Sequence, residues 1–356
     1  MPRIVEIAGI AAAYGGRLLA ELGHDVIRVE PPGGDELRKL GPSLTSHDGA
    51  EAGAYHQFLN AGKRSLALDL TSDDGKATLA KLLGTVDALL ARAPLPFSEA
   101  EVRQANPALA IVRIADPLPE ICTYARSGLL ALTGQPDGRP MLMGGHAAYA
   151  ATGTFAAMAV LTALLAGEGE TIDLSAEECL AVLGEQGVIA ETITHEKFER
   201  RGYRGAVTAI SGAFKCADGY AMLSVPPSPA NWGRFMEWVG DPVLAEDKSL
   251  GDEAERRARQ KFVIDRLEEW TARFGKEELV IEAQERHTPA APVSTALDLV
   301  DDPQLTARGF LRTIEHPELG PMLFPNGALA TVAGRQLAPA PRLGQHNAEI
   351  LQELAS

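Results

Sequence analysis

The side chains able to do nucleophilic, acid–base or metal chemistry form none of the common local motifs in this chain. The histidines, His24, His47, His56, His146, His195, His287, His316 and His346, include no H-x-x-x-H pair, and none belongs to a Cys–His cluster. Zinc-type sites need several such ligands at short, regular spacing, so no metal site is expected. Cys122, Cys179 and Cys216 are odd in number and far apart, with no C-x-x-C pair. That excludes a disulfide framework and fits a reducing, cytoplasmic setting. There is no G-x-S-x-G elbow to present a serine nucleophile and no phosphate-binding G-x-x-x-x-G-K-[ST] loop. The connection from Gly9 to Gly16 resembles a nucleotide-binding turn but does not spell G-x-G-x-x-G. Isolated candidates remain. Glu120 is an acid at a helix start, and Tyr149 is a phenol near the start of an alanine-rich helix. Gly144-Gly145, just before that helix, is either a flexible turn or a set of bare N–H groups that would hold a carbonyl oxygen or carboxylate. Arg38, Lys63 and Arg64 are cations at the edges of strands or loops.

The elements that must position these residues follow from the apolar pattern. Residues 4–7 read as a strand, 11–22 as a helix stopped by Gly23, and 26–29 as a second strand ended by Glu30-Pro31-Pro32-Gly33-Gly34. Further strands are expected at 65–70, 86–90 and 109–114, with a helix at about 73–83 between the first two. Strand–helix alternation argues for a parallel sheet with helices on both faces. From 119 to 166 the pattern is mainly helical, 171–174 is a short strand, and Ser175 with Glu178 forms an S-x-x-E capping box for another long helix. Residues 212–225 look like a hairpin, 232–270 like helix, and 301–308 like a short helix. These changes of character place domain boundaries near 205 and 300.

The chain has 356 residues, 46% of them hydrophobic and 23% charged, which is an ordinary soluble composition for about two domains. Its net charge of −15 repels phosphate backbones, so general nucleic-acid binding is not expected. The N-terminus lacks the charged and apolar regions of a signal peptide. Residues 147–166 hold no charge and are long enough to span a bilayer, but they are about half alanine. A helix buried in a protein core is the expectation, and no membrane association.

Longer blocks carry a resemblance. They are Gly16 to Gly23, Val26 to Asp35, Asn60 to Ser65 leading to Leu68-Asp69-Leu70, Ser127-Gly128-Leu129 with Thr133-Gly134, and Gly169 to Glu178. Asp302 to Leu305, Ala307 to Phe310 and Ala338 to Asn347 follow in the C-terminal half. In this order the blocks resemble family III CoA-transferases, also called the CaiB/BaiF family. The resemblance implies an α/β fold: a Rossmann-like large domain built from residues 1–204 and 301–356, and a smaller α+β domain at 205–300. It also implies an interlocked dimer with active sites between subunits, and coenzyme A as a substrate. Arg38, Lys63 and Arg64 would then suit the CoA phosphates. Glu120, fourteen residues before Gly134 where the family often has an acid, would hydrogen-bond near the thioester or simply begin a helix.

The family's transfer chemistry uses an aspartate, which forms a mixed anhydride and then an aspartyl-CoA thioester. That aspartate lies fifteen residues after the T-G pair and four before a glycine; counted from Gly134 and from Gly153, both reach Tyr149. A phenol, with a pKa near 10, does not support the same exchange. Tyr149 is then a packed aromatic, or a substrate-binding or proton-handling group. The A-G-P after the first strand becomes Ala11-Ala12-Ala13, and a usual longer segment shrinks to Ile114-Ala115-Asp116-Pro117. Racemase members carry a G-H-D histidine, whereas Gly128 here precedes Leu129-Leu130, which disfavours racemisation. Three readings follow: the aspartate-lacking subunit of a heteromeric CoA-transferase paired with an aspartate-bearing paralogue; a homodimeric acyl-CoA enzyme of another reaction type, such as a racemase, dehydratase or lyase; or a non-catalytic CoA-binding or assembly protein.

Overall fold

The computed structural model describes residues 1–45, 51–115, 118–195, 197–204 and 208–355. His47, Asp116-Pro117 of the shortened segment and the expected boundary at 205 lie outside the described residues. The strands of the first half are β1 (Arg3–Ile7), β2 (Asp25–Glu30), the short antiparallel pair β3 (Ser43–Thr45) and β4 (Glu51–Gly53), β5 (Arg64–Ala67), β6 (Ala88–Arg92), β7 (Ala110–Ala115) and β8 (Thr171–Ser175). Six of them form one parallel sheet in the order β5-β2-β1-β6-β7-β8. The helices between them are α1 (Ile10–Glu21), α2 (Ala54–Asn60), α3 (Asp73–Leu83), α4 (Glu99–Ala105), α5 (Glu120–Arg126), the short α6 (Leu129–Leu132) and α7 (Ala147–Ala166); α8 (Ala176–Ala181) follows β8.

A parallel sheet covered on both faces needs apolar residues at successive positions, and the central strands supply them. Ile4, Val26, Leu90 and Val112 pack with α1 and α7. Their neighbours Val5, Ile27, Leu89 and Ile111 pack on the opposite face with Leu79 and Leu82 of α3 and Val102 of α4. Each such side chain, fully buried, contributes about 1.5–3 kcal/mol. The uncharged 147–166 stretch is α7, whose Ala156, Val160 and Ala163 are buried in the first of these cores. Small residues let α1 and α7 touch backbone to backbone. A Cβ on Gly153 would lie 2.6 Å from the Ala11 carbonyl oxygen, and one on Gly15 would lie 2.9 Å from the Gly153 carbonyl oxygen.

The chain divides into two compact units. The larger comprises Met1–Leu130, Leu142–His195 and Asp302–Ser356; the smaller comprises Ala131–Met141 and Glu196–Asp301. The sequence division at 204/205 overlooked the Ala131–Met141 segment. Within the smaller unit, Gly202 donates to the Gly134 carbonyl at 3.0 Å, and the Arg200 guanidinium to carbonyls of Ala131, Gln135 and Gly138 at 3.1–3.2 Å. This unit holds a three-stranded antiparallel sheet of β9 (Ser211–Cys216), β10 (Gly219–Ser224) and β11 (Ala290–Pro292) over an aromatic core of Phe214, Trp232, Phe235 and Trp270. The helix expected through 232–270 is broken into short pieces. Gly240 takes the left-handed conformation (φ 66°), Pro242 starts the next piece, and Asp241 and Asp252 cap new starts.

In the larger unit, the helix after Ser175 is regular only to Ala181. It then tightens to a 3-10 turn, resumes, and ends in a π-helical turn at Ala190–Thr194. The segment Asp302–Ser356 begins with the short helix Pro303–Ala307, expected from the sequence at 301–308, continues in the hairpin β12 (Leu311–His316) and β13 (Gly320–Pro325), and later runs along the edge strand β5. Gly62 donates to the Ala338 carbonyl (2.9 Å), Ser65 to His346 Nδ1 (3.1 Å) and Ala67 to Asn347 Oδ1 (2.9 Å). The terminal block thus covers backbone groups of an otherwise open sheet edge.

Candidate active site

A cleft of about 670 Å³ opens at the carboxyl ends of β1, β2 and β6, lined among others by Gly9, Ile10, Gly34, Arg92, Pro119 and Tyr149. From β1 the chain steps to β2 on one side, and β6 flanks β1 on the other, so the cleft sits where the strand order reverses. Open parallel sheets bind ligands at this place. Gly9 has φ 81°, and a Cβ there would press on the Arg92 side chain at 3.2 Å. Glycine therefore lets the chain turn from β1 into α1 directly beside Arg92. Among the described residues no side chain caps α1, and its first turn holds no acid, so its first N–H groups carry the helix's positive end toward the cleft.

On the α5–α7 side, Glu120 is the first residue of α5, and its side chain is 12% exposed. Its Oε1 accepts from the Ala148 N–H (3.1 Å), and its Oε2 is 2.9 Å from His146 Nδ1. His146 is the N-cap of α7 in the left-handed region (φ 54°, ψ 41°), a conformation unusual for a residue with a Cβ. Its ring lies between those of Tyr55 (centroids 5.2 Å apart) and Tyr149 (6.0 Å). Burial, with the Glu120 charge adding to it, pushes the Tyr55 phenol up to about 12. Tyr149 is half-buried, packing against the α1–α7 core while lining the cleft. Gly144 and Gly145 are exposed, Gly145 with φ 79°, and a Cβ on either would meet no atom of the described residues within 4 Å.

The three basic candidates have other work. Lys63 is buried with its side chain 0% exposed. Its ammonium gives its three protons to Glu6 Oε2 (2.6 Å), the Ala13 carbonyl (2.7 Å) and Asn60 Oδ1 (3.0 Å), leaving none for a phosphate. Burial drives the Lys63 amine down to about 8, although Glu6 opposes it. Glu6 also pairs with buried Arg28, and Gly16 makes room for this network, since a Cβ there would run into Glu6 Oε2. Arg64 pairs with Asp25 (3.2 Å), Glu349 (2.9 Å) and Glu353 (2.7 Å), pinning the Asn347–Glu353 helix to the sheet. Arg38 forms a bidentate pair with Glu30, both contacts 2.7 Å, and its NH1 lies 3.2 Å from His56 Nε2. Burial alone would raise the Glu30 carboxyl, but Arg38, Arg28 and Ser65 outweigh it and hold it low. Arg38 borders a smaller opening of about 180 Å³ with His56, His316 and Arg342, not the main cleft. Lys63 and Arg64 border neither opening.

Sequence reasoning passed over Arg92 and His146. A signal existed for each: Arg92 ends an apolar strand opposite a glycine turn, and His146 stands between Gly145 and the alanine-rich helix.

The model of CoA-transferase family III matches residues 3–347. The chain belongs to CoA-transferase family III. The succinyl-CoA:mesaconate CoA-transferase of Haloarcula hispanica is 27% identical over 99% of this chain and 95% of that one. The succinyl-CoA:(R)-benzylsuccinate CoA-transferase subunit BbsE of Thauera aromatica is 30% identical over 99% of this chain and 93% of that one. A crystal structure of a CaiB/BaiF family protein from Brucella suis superposes with a TM-score of 0.86 at 26% identity, covering 99% of this chain and 98% of that one. The mixed α/β fold with a central parallel sheet is thus that of the family. Within this family III chain, several motif blocks have structural employment: Gly16 and Lys63 serve the Glu6 network, and His346-Asn347 bind the backbone of β5.

Proposed function

We propose that this chain takes acyl-CoA thioesters into the cleft at the ends of β1, β2 and β6 and works as the aspartate-lacking subunit of a heteromeric CoA-transferase, beside an aspartate-bearing paralogue. The observation that carries this reading is Tyr149: it lines the cleft at the start of α7, at the position reached by both counts to the family's nucleophile. Transfer of CoA between acids needs a carboxylate there, because the anhydride and thioester intermediates must both stay reactive. A phenol cannot fill that role, whereas the cleft retains features suited to CoA. Arg92 and the N-terminus of α1, both at the cleft, support a phosphate subsite, and the half-buried wall at Tyr149 supports one for the acyl end. BbsE of Thauera aromatica, similar over nearly the whole chain, is itself a subunit.

An intimate, interlocked dimer, with this chain or the paralogue as partner, agrees with two exposed surfaces of the larger unit. Met158 (56% exposed) and Leu165 (89%) form part of an outward stripe on α7, and Val182, Val188 and Ile193 are exposed after α8. The large domain would be the Rossmann-like CoA-binding one, and the three free thiols suit a cytoplasmic protein. The test is calorimetric titration with CoA, followed by co-purification with the aspartate-bearing paralogue and an assay of CoA transfer from succinyl-CoA to a second acid. Transfer by the pair and not by this chain alone is the expected result; absence of CoA binding would leave an assembly role instead. The Glu120–His146 pair favours a second reading, an acyl-CoA reaction run by this chain itself.

A further inference from the structure

We propose that His146, held by Glu120, is a general base that activates water for hydrolysis of an acyl-CoA thioester in this chain's cleft. The proposal rests on the reading that the cleft admits acyl-CoA, but not on the subunit role. The geometry is that of an oriented imidazole. Glu120 Oε1 is fixed by the Ala148 N–H (3.1 Å), which leaves Oε2 to accept from His146 Nδ1–H at 2.9 Å. That bond sets the tautomer and places the basic lone pair on Nε2. Nε2 has no hydrogen-bond partner among the described residues, and the side chain is 38% exposed, open to water. The ring is held between Tyr55 and Tyr149, and Tyr149 lines the cleft, as do Leu118 and Pro119 directly before Glu120. His146 occupies the left-handed region without being glycine or asparagine. Such strain persists where surrounding structure enforces it, and it gathers at functional sites.

The chemistry explains why an imidazole would be held here. In transfer between acids both attacking groups, a carboxylate and a thiolate, arrive ionised and need no base. Water does need one. The step balances without any oxidant or reductant. Water oxygen bonds to the thioester carbonyl carbon while its proton passes to His146 Nε2. The C–S bond then breaks, the imidazolium returns the proton to the departing sulfur, and the products are a carboxylic acid and free CoA thiol. Glu120 acts through His146 and is a positioning residue; it holds the ring and stabilises the imidazolium that forms in the step.

The experiment uses the purified full chain with acetyl-CoA, succinyl-CoA and benzoyl-CoA, reading free thiol release and ¹⁸O incorporation into the acid from labelled water. His146→Asn is the decisive variant, because asparagine tolerates the left-handed conformation and keeps the fold. Expected is hydrolysis of at least one thioester by the unmodified chain, lowered about 10²- to 10⁴-fold in kcat by His146→Asn with unchanged CoA affinity. Glu120→Gln should lower kcat about tenfold or more while leaving KM in place, a split that a merely structural role would not give. A chain that binds CoA but releases thiol no faster than His146→Asn overturns the water-activating dyad and leaves the acyl-CoA reading intact. A chain that does not bind CoA overturns both.

Discussion

His56, on α2, is 2% exposed, with Nδ1 2.8 Å from Asn60 Nδ2 and Nε2 3.2 Å from Arg38 NH1. Burial, and then the Arg38 charge, drives its imidazole down from 6.5 to about 3. The folded state therefore binds this proton less tightly than the unfolded state. Stability attached to His56 is full above the unfolded value near 6.5 and is lost as pH falls toward 3. Between pH 7 and pH 5 the unfolded chain takes up the proton and the folded chain does not. At about 1.4 kcal/mol per pH unit over some 1.5 units, the loss is roughly 2 kcal/mol. Other histidines lowered by burial, His24, His316 and His346, add to the total acid loss. The comparison that isolates His56 is thus urea unfolding of the native chain and His56→Gln at both pH values. The native chain should lose about 2 kcal/mol more than the variant on going from pH 7 to pH 5. Equal losses in the two proteins would refute the reasoning, since they would mean that His56 takes up its proton without leaving the folded state.

Other consequences are open to measurement. Gly153→Ala should destabilise the larger unit by about 1–3 kcal/mol in urea unfolding, because the new methyl meets the Ala11 carbonyl at 2.6 Å and Tyr14 Cβ at 2.8 Å where α1 and α7 touch. Arg64→Met should cost about 1–2 kcal/mol and make residues 347–353 more sensitive to protease, since partly exposed pairs to Asp25, Glu349 and Glu353 are each worth little but act together. Arg92→Ala should weaken CoA binding about tenfold in calorimetry, whereas Arg64→Met should leave it unchanged, reversing the order that the sequence alone implies.

The sheet was legible because its code is local. Apolar runs at 4–7, 26–29 and 109–114 give β1, β2 and β7 within a residue or two at each end. The broken helices of 229–271 were also written locally, in Gly240, Pro242 and the capping aspartates, but the apolar period across them masked the breaks. Lys63 was unreadable. Its burial is decided by Glu6, fifty-seven residues away, and by the Ala13 carbonyl, and no pattern around Lys63 announces either. The Glu120–His146 contact likewise spans twenty-six residues and depends on how α5 and α7 start side by side. What local spacing could supply was Tyr149, and the structure sets that phenol in the wall of the cleft.

The central claim is that this family III chain has a cleft for acyl-CoA but no carboxylate nucleophile at position 149. The most direct measurement is intact-mass spectrometry of the native chain and of Tyr149→Asp after incubation with succinyl-CoA, with borohydride or hydroxylamine trapping of any glutamyl- or aspartyl-CoA thioester. The account predicts no trapped adduct on the native chain alone and a gain of one in Tyr149→Asp, mapped by peptide analysis to position 149. A covalent CoA adduct on the pure, unmodified chain would contradict it.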